Sequence, residues 1–113
     1  MKPQSMTKII CLATVVAAAV LLCARTRADD KSAATYKAKC ATCHGADGKG
    51  DTPAGKKVGV HDFASDEVQK QSDNDLGQII FKGKNKMPAY ESKLKPEEVK
   101  DLIAYIRKLG KSH

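Results

Sequence analysis

Cys40, Ala41, Thr42, Cys43 and His44 form a Cys-x-x-Cys-His pentapeptide. Two thiols three positions apart sit on about one helical turn. Each can add to one vinyl group of a single haem, and the histidine that follows then lies under the iron. The pattern is the attachment signature of a c-type haem, with Cys40 and Cys43 as thioether donors and His44 as an iron ligand. A bare Cys-x-x-Cys is shared with zinc ribbons and dithiol oxidoreductases. The remaining cysteines narrow the choice. Cys11 and Cys23 lie in an apolar N-terminal segment that has the features of a targeting signal. Once that segment is removed, Cys40 and Cys43 are the only thiols, too few for a four-thiolate zinc site. Zinc on Cys40, Cys43, His44 and His61 is the competing metal reading. A redox dithiol or a structural disulfide is the other competitor, and no βαβ pattern surrounds the motif to support it.

Met87 is the only methionine in residues 29–113. It stands in Lys84-Asn85-Lys86-Met87-Pro88-Ala89-Tyr90, where Pro88 forces extended chain and forbids a helix. Without the haem motif it would be an ordinary packing residue. With the motif, a thioether on a loop 43 residues beyond His44 reaches the opposite iron face and serves as the sixth ligand. His61 is the rival axial ligand; its plainer reading is a surface or loop histidine.

These groups need elements to position them. Asp30 or Ser32 is placed to cap a helix that runs through Tyr36 into Cys43. Tyr36, four residues before Cys40, shares a face with it. Gly45 to Gly55 holds four glycines and Pro53 in eleven residues and reads as a loop. It has neither the spacing of a phosphate-binding loop nor the ligands of a calcium loop. Lys56 to Ala64 reads as irregular chain that packs Val58, Val60 and Phe63 toward the haem, and Ser65 to Val68 as a helical turn. A second helix is expected over Asp73–Lys82, capped by Ser72 or Asp73, with Leu76, Ile79 and Ile80 on one face and Gly83 at its end. The last helix starts at Pro96, with Glu97 and Glu98 in its first turn. Val99, Leu102, Ile103, Ile106 and Leu109 form its single apolar stripe, and Gly110 is expected to end it.

The 113-residue chain carries a formal charge of +7. Lys2, Lys8, Arg25 and Arg27, with no acid among residues 1–28, account for +4 of this, which leaves +3 for residues 29–113. The basicity is mostly a property of the leader and argues weakly for a polyanionic partner. No aromatic residues are interleaved with basic clusters, so nucleic-acid binding is not expected. Lys2 and Lys8 precede the uncharged run Ile9–Ala24, and Thr26 and Ala28 suit the −3 and −1 positions of a cut before Asp29. Residues 1–28 therefore read as a secretory signal peptide, cleaved or, as the lesser alternative, retained as an anchor. Either way, residues 29–113 form one domain outside the cytoplasmic membrane, in the periplasm or beyond.

With Tyr36, the Cys40–His44 motif, Gly45, the Lys86-Met87-Pro88 loop and the terminal helix Asp101–Arg107 in view, the chain resembles the class I cytochrome c family, in particular its small monohaem bacterial members. The resemblance covers nearly all of residues 30–110. It implies an all-α cytochrome c fold, three or more short helices wrapped around one covalent haem c, with the terminal helices crossing. It also implies His44 and Met87 as axial ligands and one-electron transfer as the activity. Two positions depart from the family. Ser32 stands where the family often has a glycine at the helix crossing. Pro53 is the one candidate to orient His44 through a backbone carbonyl.

The expected protein is thus an electron carrier and not an enzyme, a monomer that meets redox protein partners. Lys37, Lys39, Lys49, Lys56, Lys84 and Lys86 flank the motif and the Met87 loop and could favour an acidic docking face. Membrane contact is expected only through an uncleaved leader or a partner complex. The alternatives are a haem enzyme or gas sensor with an open iron site, or an electron-transfer subunit of a larger oxidase or dehydrogenase. Composition adds one constraint. Residues 29–113 contain only 14 Leu, Ile, Val and Phe side chains in 85 positions, below the roughly 20% at which chains commonly fail to build a core. Such a domain needs a staple, and a covalent porphyrin provides one. A haem-free Cys40→Ala, Cys43→Ala variant is therefore expected to be largely unfolded, with no cooperative thermal transition by circular dichroism.

Overall fold

The computed structural model describes residues 3–113, with side chains from Met6 onward. Lys2, counted above in the basic start of the leader, lies outside the described residues. Six helices follow one another: α1 (Pro3–Lys39), α2 (Ala41–His44), α3 (Pro53–Val58), α4 (Asp66–Gln69), α5 (Asp73–Lys82) and α6 (Pro96–Lys111). Among the described residues the only strand-like pairing is a single bridge between Lys84 and Met87.

The first helix departs from the expected start at Asp30 or Ser32. It is continuous from Pro3, because no glycine or further proline interrupts the alanine-rich stretch up to Lys39. Ser32 caps nothing. Its hydroxyl donates back to the carbonyls of Ala28 and Asp29 at 3.0 Å each, the usual way for serine to satisfy itself inside a helix. Met6, Ile9, Ile10, Leu12, Val15, Val16, Val20, Leu21 and Leu22 are 58–72% exposed along its first half. This helix is long and apolar enough to cross a membrane.

The second half of α1 joins the domain. Tyr36 is almost fully buried, and its ring lies 5.2 Å from that of Tyr105 on α6. Lys31 pairs with Glu98 at 2.9 Å, and Lys108 reaches Asp29 at 3.9 Å. Partners two residues apart on α1 thus meet partners ten residues apart on α6, about 15 Å along its axis. The terminal helices cross rather than run side by side. Ser32 is buried near this crossing, so its small side chain is accommodated where the family often has glycine.

Both later long helices begin as their sequences require. Ser72 accepts from the Asp75 N–H at 3.1 Å, and the Asp75 carboxylate accepts from Ser72 in return. Lys95 contributes no side-chain cap to α6; the Glu98 carboxylate accepts from the Lys95 N–H at 2.9 Å instead. That bond, with Lys31 beside it, holds the Glu98 carboxyl below its usual range. Gly110 does not end α6 as expected. The helix continues to Lys111, and Gly110 is buried where any β-carbon would strike the Phe63 carbonyl and the Gln69 side chain. It is a close-approach glycine, not a terminator.

Pro53–Val58 is a further correction. The loop-and-irregular reading missed α3, although its punctuation is legible: Thr52 caps it, Pro53 opens it and Gly59 closes it at φ 69°. The turn expected at Ser65–Val68 is present as α4, and Gly83 ends α5.

One side chain binds the second half of the fold together. Arg107, only 20% exposed, donates to the carbonyls of Val68, Gln69 and Gln71 and to the Asp73 carboxylate. It closes the C-terminal end of α4 and fastens the α4–α5 connection to α6. A lysine places one ammonium where this planar fork makes several divergent bonds. Arg107→Lys is expected to lower the unfolding free energy of the haem-loaded protein by about 1–3 kcal/mol, read as a lower urea midpoint. An unchanged midpoint would contradict this role.

Candidate haem site

The turn after α1 carries the thiols. Cys40 itself sits at a break, φ −118° and ψ −37°, between Lys39 and the short α2. The expected single helix into Cys43 is thus two helices with a kink, bridged by Cys40 N–H to Tyr36 O and His44 N–H to Cys40 O. Neither Cys40 nor Cys43 is in a disulfide. Burial pushes the Cys40 thiol pKa up.

Three successive carbonyls leave this turn, and each is held by a different part of the chain. The Thr52 hydroxyl donates to Cys43 O at 2.9 Å while accepting from the Gly55 N–H at 2.9 Å. The Gly50 N–H donates to His44 O at 2.8 Å. The buried Tyr36 hydroxyl donates to Gly45 O at 2.7 Å. Burial pushes the Tyr36 pKa well up, so the phenol keeps the proton this bond needs. Gly55 is required here, because a β-carbon would collide with the Cys43 carbonyl.

The His44 ring stacks on Phe63, with centroids 4.9 Å apart and planes 24° from parallel. Burial lowers the His44 pKa, which favours the neutral imidazole that a metal needs. Its Nδ1 is buried and has no hydrogen-bond partner among the described residues.

Met87 is brought to the same place by a tight turn. Lys84 and Met87 exchange backbone bonds of 3.2 and 2.9 Å across Asn85 and Lys86. Asn85 takes φ 53°, a conformation asparagine tolerates better than most residues. A β-carbon on Gly83 would lie 2.7 Å from the Met87 carbonyl, so glycine allows the loop to fold back on α5. Tyr90 ties this loop to the thiol turn, its hydroxyl donating to Lys39 O at 3.0 Å.

One cavity of about 260 Å³ unites these residues. Cys40, Cys43, His44 and Met87 all line it, with Val58, Val60, Phe63, Leu76, Ile80, Leu102 and Ile106 among its apolar walls. Val58, Val60 and Phe63 face it as the sequence led us to expect. His61 stands at its edge, mostly exposed, with Nδ1 3.2 Å from the Glu67 carboxylate. It is a surface histidine engaged by a carboxylate. The donor set suits a covalent haem: paired thiols one turn apart, a neutral imidazole, a soft thioether and apolar walls. Thr52, Tyr90 and Asn85 position that set, and the sequence analysis gave none of them a role. Only Thr52 carried a signal, as a capping residue directly before a proline.

A family model described as cytochrome c oxidase, cbb3-type, subunit III matches residues 27–106. The chain belongs to the class I cytochrome c family. It is 38% identical over 77 residues to cytochrome c6 of Anabaena variabilis, covering 68% of this chain and 84% of that protein. It is 35% identical over 89 residues to the cbb3-type cytochrome c oxidase subunit FixP of Azorhizobium caulinodans. That match takes in 75% of this chain but only 28% of FixP. Among solved structures, the KustC0563 c-type cytochrome superposes with a TM-score of 0.64 at 38% identity, over 69% of this chain and 95% of that one. The all-α fold is thus the cytochrome c fold, and membership implies a covalently bound haem c.

Proposed function

We propose that residues 29–113 form a periplasmic one-electron carrier. Cys40 and Cys43 would hold the haem through thioethers, and His44 and Met87 would supply its iron ligands. The observation that carries this reading is the single cavity lined by both thiols, the imidazole and Met87. When bound, the group supplies a ferrous–ferric couple, and its potential is higher with His/Met than with His/His ligation. The chain's part is to position and shield. The three captured carbonyls hold the thiol turn, the Asn85 turn holds Met87, and the apolar walls exclude water. A haem held by both His44 and Met87 would leave its iron no open position for a substrate, which favours a carrier over an enzyme.

Residues 1–28 serve as the export signal, removed before Asp29. The continuous, exposed apolar helix favours one second reading, retention as an anchor that tethers the carrier to the membrane or to an oxidase complex. Recovery of the native protein from the soluble rather than the membrane fraction separates the two.

The absorption spectrum tests ligation. The ferric protein should be low-spin with a methionine–iron charge-transfer band, and Met87→Ala should lose that band and lower the reduction potential. High-spin ferric haem in the unaltered protein would instead support an open-site enzyme or sensor.

The lysines sort by their partners. Lys39, Lys84 and Lys86 line the cavity mouth, and among the described residues none has a carboxylate partner. Lys56 is paired with Asp51 at 2.7 Å, and neither Lys37 nor Lys49 lines the cavity. An unneutralised cluster at the mouth favours partners with an acidic docking face. Oxidation by the anion ferricyanide should therefore slow as ionic strength rises. A Lys84→Gln, Lys86→Gln variant should flatten that dependence. A rate indifferent to salt would remove the steering role.

A further inference from the structure

We propose that Tyr90 is the latch of the Met87 loop. Its phenol ties the segment that carries Met87 to the backbone that carries Cys40, and so restrains the opening that would let a small outside ligand reach the iron. The inference rests on the Met87 ligation proposed above. The chain from Gly83 to Glu91 leaves α5 and returns to it. The Tyr90 N–H donates to Ile80 O at 3.0 Å and to Phe81 O at 3.2 Å, and the Glu91 N–H donates to Phe81 O at 3.2 Å. Lys82 Nζ meets the Glu91 carboxylate at 2.6 Å. The Lys84–Met87 turn and the close approach at Gly83 fold the loop on itself and onto α5. All of these fasten the loop to its own helix, so they leave it able to swing as a unit away from the thiol turn.

The Tyr90 hydroxyl opposes that swing. It donates to Lys39 O at 3.0 Å, across 51 positions of sequence. Among the described residues no other hydrogen bond joins the two segments. Both ends of the bond suit a latch. The break at Cys40 leaves Lys39 O, at the end of α1, without a backbone donor among the described residues. Lys39 directly precedes Cys40, so the loop is fastened beside a thiol that anchors the cavity. The backbone of Tyr90 is fixed on the other side as well, since its carbonyl accepts from the Lys93 and Leu94 N–H groups at 2.9 Å each. The Lys93 ammonium lies 5.7 Å from the centre of its ring. Burial pushes the phenol pKa up, so the hydroxyl keeps the proton that it donates. The ring lines the cavity, and a phenyl ring would fill the same wall but leave the loop unfastened.

The test adds imidazole to the haem-loaded ferric protein and follows the loss of the methionine band in time. Tyr90→Phe keeps the ring and removes the bond. It should stay low-spin and keep the methionine band, while displacement by imidazole becomes about fivefold faster, the weight of one ordinary hydrogen bond. In a Met87→Ala background no thioether has to be displaced, and there Tyr90→Phe should leave the rate of imidazole binding, read from the main haem absorption band, unchanged. An unchanged displacement rate in Tyr90→Phe overturns the proposal. Equal acceleration with and without Met87 overturns it too, because it marks a general loosening rather than a latch. If Tyr90→Phe does not fold, the reduced, unaltered protein decides. Overhauser contacts between the Tyr90 ring and the protons of Lys39 and Cys40 support the latch, and their absence overturns it. Failure of the underlying ligation looks different: the unaltered protein would then show no methionine band.

Discussion

The structure depends on holding one short turn of backbone still while its side chains face a cavity. Cys43, His44 and Gly45 end a four-residue helix, so their carbonyls have no helical partners. Left to water, they would let the turn drift, and with it both thiols and the imidazole. The chain supplies a donor for each from a different region: Thr52 before α3, Gly50 in the glycine loop and Tyr36 on α1. Much of the surrounding architecture follows from those bonds. α3 fixes Thr52 as its N-cap, and the loop glycines allow the close approach that brings amide nitrogens within reach. The buried Tyr36 serves twice, as a core side chain against Tyr105 and as the donor to Gly45.

The second constraint is the shape of the core. The buried apolar residues from α1, α4, α5, α6 and the loops between them do not close on one another completely. Phe63, Val68, Leu76, Ile80, Leu94, Leu102 and Ile106 are both core residues and cavity walls. A domain this poor in large apolar side chains cannot spare them to line a hollow unless something apolar completes the packing. Scarcity of core and presence of a cavity fit together if the haem c that family membership implies completes the packing.

Much of this was legible in the sequence because the signals were local. The pentapeptide at Cys40, the Ser72 cap with Asp75, and the Pro96 start with its apolar stripe are read within a few residues. The solitary Met87 stood out by elimination, and the structure places it in the cavity wall. What was not legible depends on contacts between distant segments. Gly110 looks like a helix end until Phe63 is seen against it, some fifty residues away in sequence. Pro53 looked like part of a loop, but it opens α3 beside Thr52. Ser32 looked like a cap because serine caps helices, yet nothing upstream stops the helix, and its hydroxyl turns inward instead. In each case the local preference was sound and a longer-range contact, or its absence, decided the outcome.

The continuity of α1 has a consequence for a chain cut at Asp29. Removal of residues 1–28 takes away the acceptor that Ser32 uses on Ala28 and leaves a short helix with a new N-terminus. Asp29, Asp30 and Ser32 then lie in its first turn, where negative charge and a hydroxyl are favourable. The capping signal that the uncut helix overrides becomes usable once the cut is made. The remaining turns need no help from the leader, since Lys31 is fastened to Glu98, Tyr36 to Tyr105 and Gly45, and Lys39 O to Tyr90. In a chain cut there, the acids and the serine just past the cut would serve as the start of its first helix.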